Sequence, residues 1–401
     1  MLRHKALVAA ASAVLLSAGS VLADSFTPVL AADEAATPPL MAALDQTPLR
    51  APMKDLGITV GGWVEASWTY NFDTPDSQTN VGRVFDFEDQ DLTLNQVVLF
   101  IDRAVSYDKE KFDIGGRMEW MWGGDARLIH ANGVMDGGQD DDEQFDPTQF
   151  YIDMNLPVGN GLKVRVGKYV TTLGYETINP TTNPFYSHSF MFGFAIPFTH
   201  LGVQANYQFS EDLEAYVGVV RGWDQGFEDV NDMVSFMLGG TWTIDEQQKL
   251  AVNLITGPEQ VNDEGNYRTV LDLVYTIALD AQTTVAVNAD LGFEPEAGVN
   301  GDDAFWAGIA GYVGYAVNEY VTVNGRLEWF GDFDGGRLGV DDLHLVELTL
   351  GATIRPLPSD TYGKGLMLRP EVRMDWASED VFNGGNDDMQ FTFGIDAIYA
   401  F

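Results

Sequence analysis

From Ile58 to the final residue this chain alternates apolar and polar side chains with a period of two, in segments about as long as a bilayer-crossing strand of ~9–11 residues. In the first segment Val60, Val64, Ala66, Trp68, Tyr70 and Phe72 fall on one face, and Thr59, Glu65, Ser67, Thr69 and Asn71 on the other. Later, Val321, Val323, Leu327 and Trp329 alternate with Thr322, Asn324, Arg326 and Glu328. A helix would need a period of 3.6, so the sequence reads as strands that are apolar on one side only. Soluble strands average only ~5–6 residues. No stretch approaches the ~20 consecutive apolar residues of a membrane-spanning helix.

About sixteen such segments can be placed, starting at Ile58, Leu92, Phe112, Pro147, Leu162, Leu201, Leu213, Met233, Lys249, Arg268, Thr283, Ala304, Tyr320, Leu343, Leu366 and Met389. Connections alternate in length. Short ones include Pro157–Gly161, Ser210–Asp212, Asp245–Gln248 and Asp280–Gln282; long ones include Asn71–Asp91, Gly123–Asp146, Gly174–His200 and Gly331–Asp342. Short periplasmic turns and long external loops are the mark of an up-and-down transmembrane β-barrel. Lipid offers no hydrogen-bond partners, so such a sheet must close on itself. The expected fold is therefore an all-β, closed antiparallel barrel over residues 57–401, with both termini on the periplasmic side. Trp68, Tyr70, Trp120, Trp122, Trp329 and Trp376 stand at strand ends, where interfacial aromatic girdles lie. Lys168 and Arg103 share parity with apolar neighbours near strand ends, where long basic side chains snorkel, and Pro370 inside a strand marks a candidate bulge.

Residues 1–23 read as a signal peptide: a basic start at Arg3, His4 and Lys5, an apolar run from Ala6 to Ala18, and small residues at Val21 and Ala23 before a cleavage ahead of Asp24. Residues 24–56, rich in Ala, Pro and Thr without apolar periodicity, read as a flexible periplasmic leader.

Three stretches, GKYVTTLGYE (Gly167–Glu176), SHSFMFGFAIPFTHLGV (Ser187–Val203) and GVVRGWD (Gly218–Asp224), resemble the OmpL-like β-barrel porin-2 family. The resemblance implies an outer-membrane porin. Phe401, with Tyr399 and Ile395 on the same face, resembles the carboxyl-terminal signal read by the barrel-assembly machinery. The connection Gly174–His200, dominated by aromatic and small residues with Glu176 as its one acid, also resembles the constriction loop that many sixteen-stranded porins fold inward at this position; the alternative is an aromatic external loop packed on lipid headgroups or on a neighbouring subunit.

The net charge of −38 excludes a phosphate-binding surface of clustered Lys and Arg, hence nucleic acid as a partner. Loss of Arg3 and Lys5 with a signal peptide makes it −38 − 2 = −40. The lumen parity collects Glu65, Arg117, Glu119, Lys163, Arg165, Arg326, Glu328, Arg369, Glu371, Arg373 and Asp375, a mixed set. Most of the acidity must then lie in loops such as Gly137–Asp146 and Ala377–Asp388. These lumen residues, with Glu176, are the candidate pore-lining and selectivity groups, and the alternative is that they pair with one another to hold the wall. With no Cys there is no disulfide, no zinc–thiolate site and no thiol nucleophile. Ser187, His188 and Ser189 beside Asn183 lack the arrangement of a hydrolase, and no nucleotide-binding loop is present. Asp140–Glu143 lacks calcium-loop spacing and Asp332–Asp334 has only a fragment of it, so at most a weak divalent cation is expected at these acidic external loops, and no other cofactor. The function expected is passive diffusion of small hydrophilic solutes or ions with modest cation preference, not catalysis. The alternative is a structural or adhesive barrel with a closed lumen. Expected partners are outer-membrane lipid, the assembly machinery and the solutes themselves, with a homo-oligomer such as a trimer left open.

Overall fold

In the computed structural model, which describes residues 38–138 and 142–401, sixteen strands close into one barrel. They are β1 (Thr59–Asn71), β2 (Leu92–Arg103), β3 (Asp113–Gly123), β4 (Gln144–Leu156), β5 (Leu162–Val170), β6 (Thr199–Gln208), β7 (Leu213–Val220) and β8 (Ser235–Thr243). Then follow β9 (Gln248–Pro258), β10 (Tyr267–Ala278), β11 (Thr283–Glu294), β12 (Ala304–Ala316), β13 (Val321–Asp334), β14 (Asp341–Ile354), β15 (Leu366–Ala377) and β16 (Met389–Ala400). Each strand pairs antiparallel with its sequence neighbour, and β16 closes on β1 from Trp63↔Ala400 to Asn71↔Thr392. Phe401 completes the seam: its N–H donates to Gly62 O at 2.9 Å, and Gly62 N–H donates back at 3.1 Å.

The alternation does what a barrel needs. Leu99, Ile114, Met118, Val217, Leu238, Leu327 and Leu350 are exposed on the outer wall, forming the apolar band that lipid covers. Their neighbours in sequence point inward and are buried or half-buried. Among the described residues no helix is long and apolar enough to cross a membrane; the strands do so. Trp122 and Trp376 are exposed at the end that carries the long loops, which is the external end of such a barrel.

Four details differ from the sequence expectation. The stretch read as leader is helical where it is described, in α1 (Pro39–Leu44) and α2 (Arg50–Leu56). Good helix formers carry these short turns, buried Met41 docks α1 on β1 through Val60 N–H, and Arg103 Nε donates to Leu56 O at 2.9 Å. The expected signal peptide lies outside the described residues. Pro370 makes no bulge: Gly351↔Glu371 and Ile354↔Leu368 keep one register around it. Register shifts occur instead between Glu65 and Ser67 and between Glu119 and Met121. Lys168 does not snorkel; it is buried and ion-paired at 2.8 Å to Asp146, a residue of β4 rather than of an acidic loop. Finally β13 runs on to Asp334, so Asp332 and Asp334 hold backbone amides, of Arg337 and Leu338 and of Phe305 respectively.

Candidate functional site: a lumen divided by an inward loop

The connection after β5, residues 171–198, turns into the barrel, and most of its residues are buried. An irregular chain in that position presents N–H and C=O groups that no strand ladder satisfies. The wall from β12 to β16 supplies most of the partners, while Gln96 of β2 donates to Ile178 O at 2.9 Å and Asn288 of β11 accepts from Tyr175 N–H at 3.0 Å. Glu328 on β13 accepts the N–H of Phe190 and of Met191, both at 2.7 Å. Glu371 on β15 accepts the N–H of Tyr186 at 2.9 Å and of Ser187 at 3.2 Å. The guanidinium groups serve the carbonyls: Arg326 donates to Ser187 O at 2.7 Å, Arg373 to His188 O at 2.5 Å, and Arg369 to Pro180 O and Asn183 O at 2.8 and 2.9 Å.

Charge balance is local. Arg326 is held by Glu176 of the loop and Glu347 of β14, both at 2.6 Å, and all three side chains are at most 2% exposed. Arg369 pairs with Asp396 at 2.5 Å and Glu65 at 3.2 Å, and Arg373 with Asp375 at 2.7 Å. Arg83, from the connection after β1, enters the same network through Asp375 and Asp86. Burial tends to raise the Glu176 carboxyl, but the Arg326 charge, His188 and the Ser189 amide outweigh it and hold Glu176 below its ordinary range. Burial lowers His188 to about 4, so its imidazole is neutral at pH 7. The ring stacks against Phe192 and meets Phe85 edge-on, and Nε2 lies 3.0 Å from Asn183 Nδ2. Ser187 faces Glu371 and Arg326 rather than this imidazole.

Apolar packing completes the seal. The short helix α3 (Phe190–Phe194), capped by Ser189 Oγ accepting from Phe192 N–H at 3.1 Å, sets Phe190 and Met191 among Trp306, Tyr312 and Phe330 of the wall. Gly308 on β12 permits this approach, since a Cβ there would stand 2.4 Å from Met191 Cγ.

The opposite wall is different. Between the loop and strands β2 to β9 lies a cavity of about 420 Å³. Arg117, Glu119, Gln149, Tyr151, Asp153 and Arg165 line it. Arg165 makes a two-point contact with Asp153, at 2.9 and 3.0 Å, and lies 3.8 Å over the Tyr151 ring. Arg117 bonds Glu119 at 2.5 Å and stands 3.8 Å from Asp102. The Arg117 and Arg165 side chains remain 19% and 15% exposed, against none for Arg326 and Arg373.

All the lumen-parity candidates therefore point inward, but into two environments. Glu65, Arg326, Glu328, Arg369, Glu371 and Arg373 are bound into the loop-facing network with Glu176, whereas Arg117, Glu119, Lys163 and Arg165 border the cavity. Glu347 and Asp396 were legible from their parity yet not singled out, and Arg83 sits in a loop where nothing in the pattern marks it. Among the acidic positions weighed for a cation, Asp140 and Asp141 lie outside the described residues.

Comparison with solved structures shows the same fold at low identity. The outer membrane channel DcaP of Acinetobacter baumannii aligns at 12% identity with a TM-score of 0.57, covering 86% of this chain and 97% of that one. An anion-selective porin from Comamonas acidovorans aligns at 12% identity and 0.57, covering 86% and 99%. A loop-deletion mutant of OmpT from Vibrio cholerae aligns at 11% and 0.53, covering 86% and 99%. No curated protein matches. The family model described as "Putative beta-barrel porin-2, OmpL-like" matches residues 57–401, the whole barrel. This chain belongs to that family of outer-membrane porins.

Proposed function

We propose that this barrel is a passive diffusion channel for small hydrophilic solutes and ions, whose path runs between the inward loop and the wall from β2 to β9. The observation that carries this reading is the uneven attachment of the loop. Its charged fastenings are on β12–β16, single bonds from Gln96, Tyr216 and Asn288 tie it elsewhere, and a polar cavity of about 420 Å³ remains on the other side, lined by partly exposed Arg117 and Arg165. Paired charges leave that wall close to neutral, so ion preference falls to the acidic loops at the mouth. Their field reaches only about 10 Å at 0.1 M salt, which supports a modest cation preference that fades as salt rises. Purified protein in planar bilayers should give stepwise single-channel currents. A second reading, a structural barrel with a closed lumen, is favoured by the near-complete burial of Arg326, Glu347, Arg373 and Asp375. Silent insertion, with correctly folded protein in the bilayer and no steps, would establish that reading instead.

A further inference from the structure

Within the cavity one cation differs from its neighbours. Arg117 and Arg165 each hold a carboxylate, but among the described residues no carboxylate oxygen lies within 4 Å of Lys163 Nζ, and no acceptor is hydrogen-bonded to it. Lys163 on β5 is nonetheless only 5% exposed and lines the cavity. Its ammonium stands 4.8 Å from the ring of Tyr107, which the turn between β2 and β3 carries inward. The neighbouring acids have other partners: Asp153 takes two bonds from Arg165, and Glu214 accepts the Tyr107 hydroxyl through Oε1 at 2.8 Å. A buried ammonium without a matched anion is unfavourable. Beside it Gln204 on β6, 4% exposed, donates Nε2 to Asn206 at 2.8 Å while its Oε1 is buried and receives no donor. The register places Lys163 opposite Asn206 and Arg165 opposite Gln204, so Lys163 and Gln204 are diagonal neighbours on one face, about 7–8 Å apart at their stems.

We propose that Lys163 and Gln204 form a solute subsite for a small hydroxy-carboxylate. The carboxylate meets the Lys163 ammonium, and the hydroxyl on the adjacent carbon donates to Gln204 Oε1. Gln204 Oε1 then gains the donor it lacks, and the Lys163 ammonium, which has only the Tyr107 ring, gains an anion. This assignment rests on the cavity being a solute path, yet binding can be measured without any current. Titration calorimetry of the full barrel in detergent with sodium lactate should show one site per chain. Lys163→Met should weaken binding roughly tenfold or more, the loss expected for one charge-assisted hydrogen bond. Lys163→Arg should retain it, and propionate, which lacks the hydroxyl, should bind several-fold more weakly than lactate. Heat-modifiable migration identical to the parent's certifies that Lys163→Met has folded. Absence of lactate binding to the parent barrel, equal binding by Lys163→Met, or equal affinity for lactate and chloride would overturn the assignment. Loss of current with lactate binding preserved would overturn the channel reading alone.

Discussion

The two halves of the inner wall are built from the same residue types and behave as different materials. From β12 to β16, and on β1, Arg and Glu side chains meet the backbone of the loop 171–198 and are cut off from water. From β2 to β9 comparable Arg and acidic side chains border a cavity, and the arginines keep part of their surface open. What separates them is the partner. A carboxylate facing two backbone N–H groups, as Glu328 and Glu371 do, is a fastening point. Glu119 is buried too, but its partners are the Arg117 guanidinium, 19% exposed at the cavity, and Gln149, not loop backbone. Pairing therefore neutralises both walls, but only the cavity side leaves charge where a passing ion can feel it.

The sharpest way to break the contrast is to remove one cation from each side. Arg326→Met leaves Glu176 and Glu347 buried without their shared partner, and loss of one member of such a pair costs about 3–5 kcal/mol. The inward loop should loosen with it, raising single-channel conductance. Arg117→Met, on the cavity side, should cost less, because Arg117 is partly exposed and Gln149 still donates to Glu119 at 3.2 Å. Urea unfolding in detergent, followed by tryptophan fluorescence, compares the two; equal losses would show that the walls do not differ in this way.

An intermediate effect should follow from pH, and only on the fastened side. His188 is surrounded by Glu176, Arg326, Arg369 and the Arg373 guanidinium bonded to its carbonyl. Its folded value, lowered to about 4 from an ordinary 6.5, means that the unfolded chain takes up the proton first. Stability from this group is complete above about 6.5 and is lost as pH falls toward about 4. Glu176, held below its ordinary 4.5, acts in the same direction at still lower pH, as its carboxylate protonates. The heat-modification midpoint should therefore fall between pH 6.5 and 4, and His188→Gln should flatten that portion of the curve. A midpoint with the same slope in the variant would assign the acid sensitivity elsewhere.

The smallest effect is expected from charge reversal at the cavity. Arg165→Glu should shift the reversal potential in a salt gradient toward stronger cation preference by a few millivolts, more at low salt than at high. Parity alone makes Arg373 an equivalent filter charge, but its side chain is fully buried between Asp375 and the loop carbonyl of His188. Arg373→Glu should accordingly destabilise the barrel rather than tune its selectivity. A clean selectivity shift with unchanged stability in that variant would place Arg373 in the ion path.

Strand starts could be read closely because the signal is local. Leu92, Leu162, Leu213, Thr283, Ala304, Leu366 and Met389 begin strands where the alternation begins. Period two fixes which residues share a face, and turns of four residues, such as 209–212 and 279–282, leave antiparallel pairing as the simple closure. The aromatic character of the connection after β5 also showed that it avoids water. Helices α1 and α2 were missed because short pieces docked on a barrel rim carry too little periodicity to register.

The sequence by itself determined the barrel: strand number, inside and outside, and the end that bears the long loops. These follow from alternation between neighbours and from the need of every strand edge in lipid for a partner. Only the tertiary structure decided which inward charges are solvated. Arg326 meets Ser187 across 139 residues of chain and Arg369 meets Pro180 across 189. Contacts of that span leave no trace in a two-residue pattern, because the environment of each charge is set by where a distant loop comes to rest.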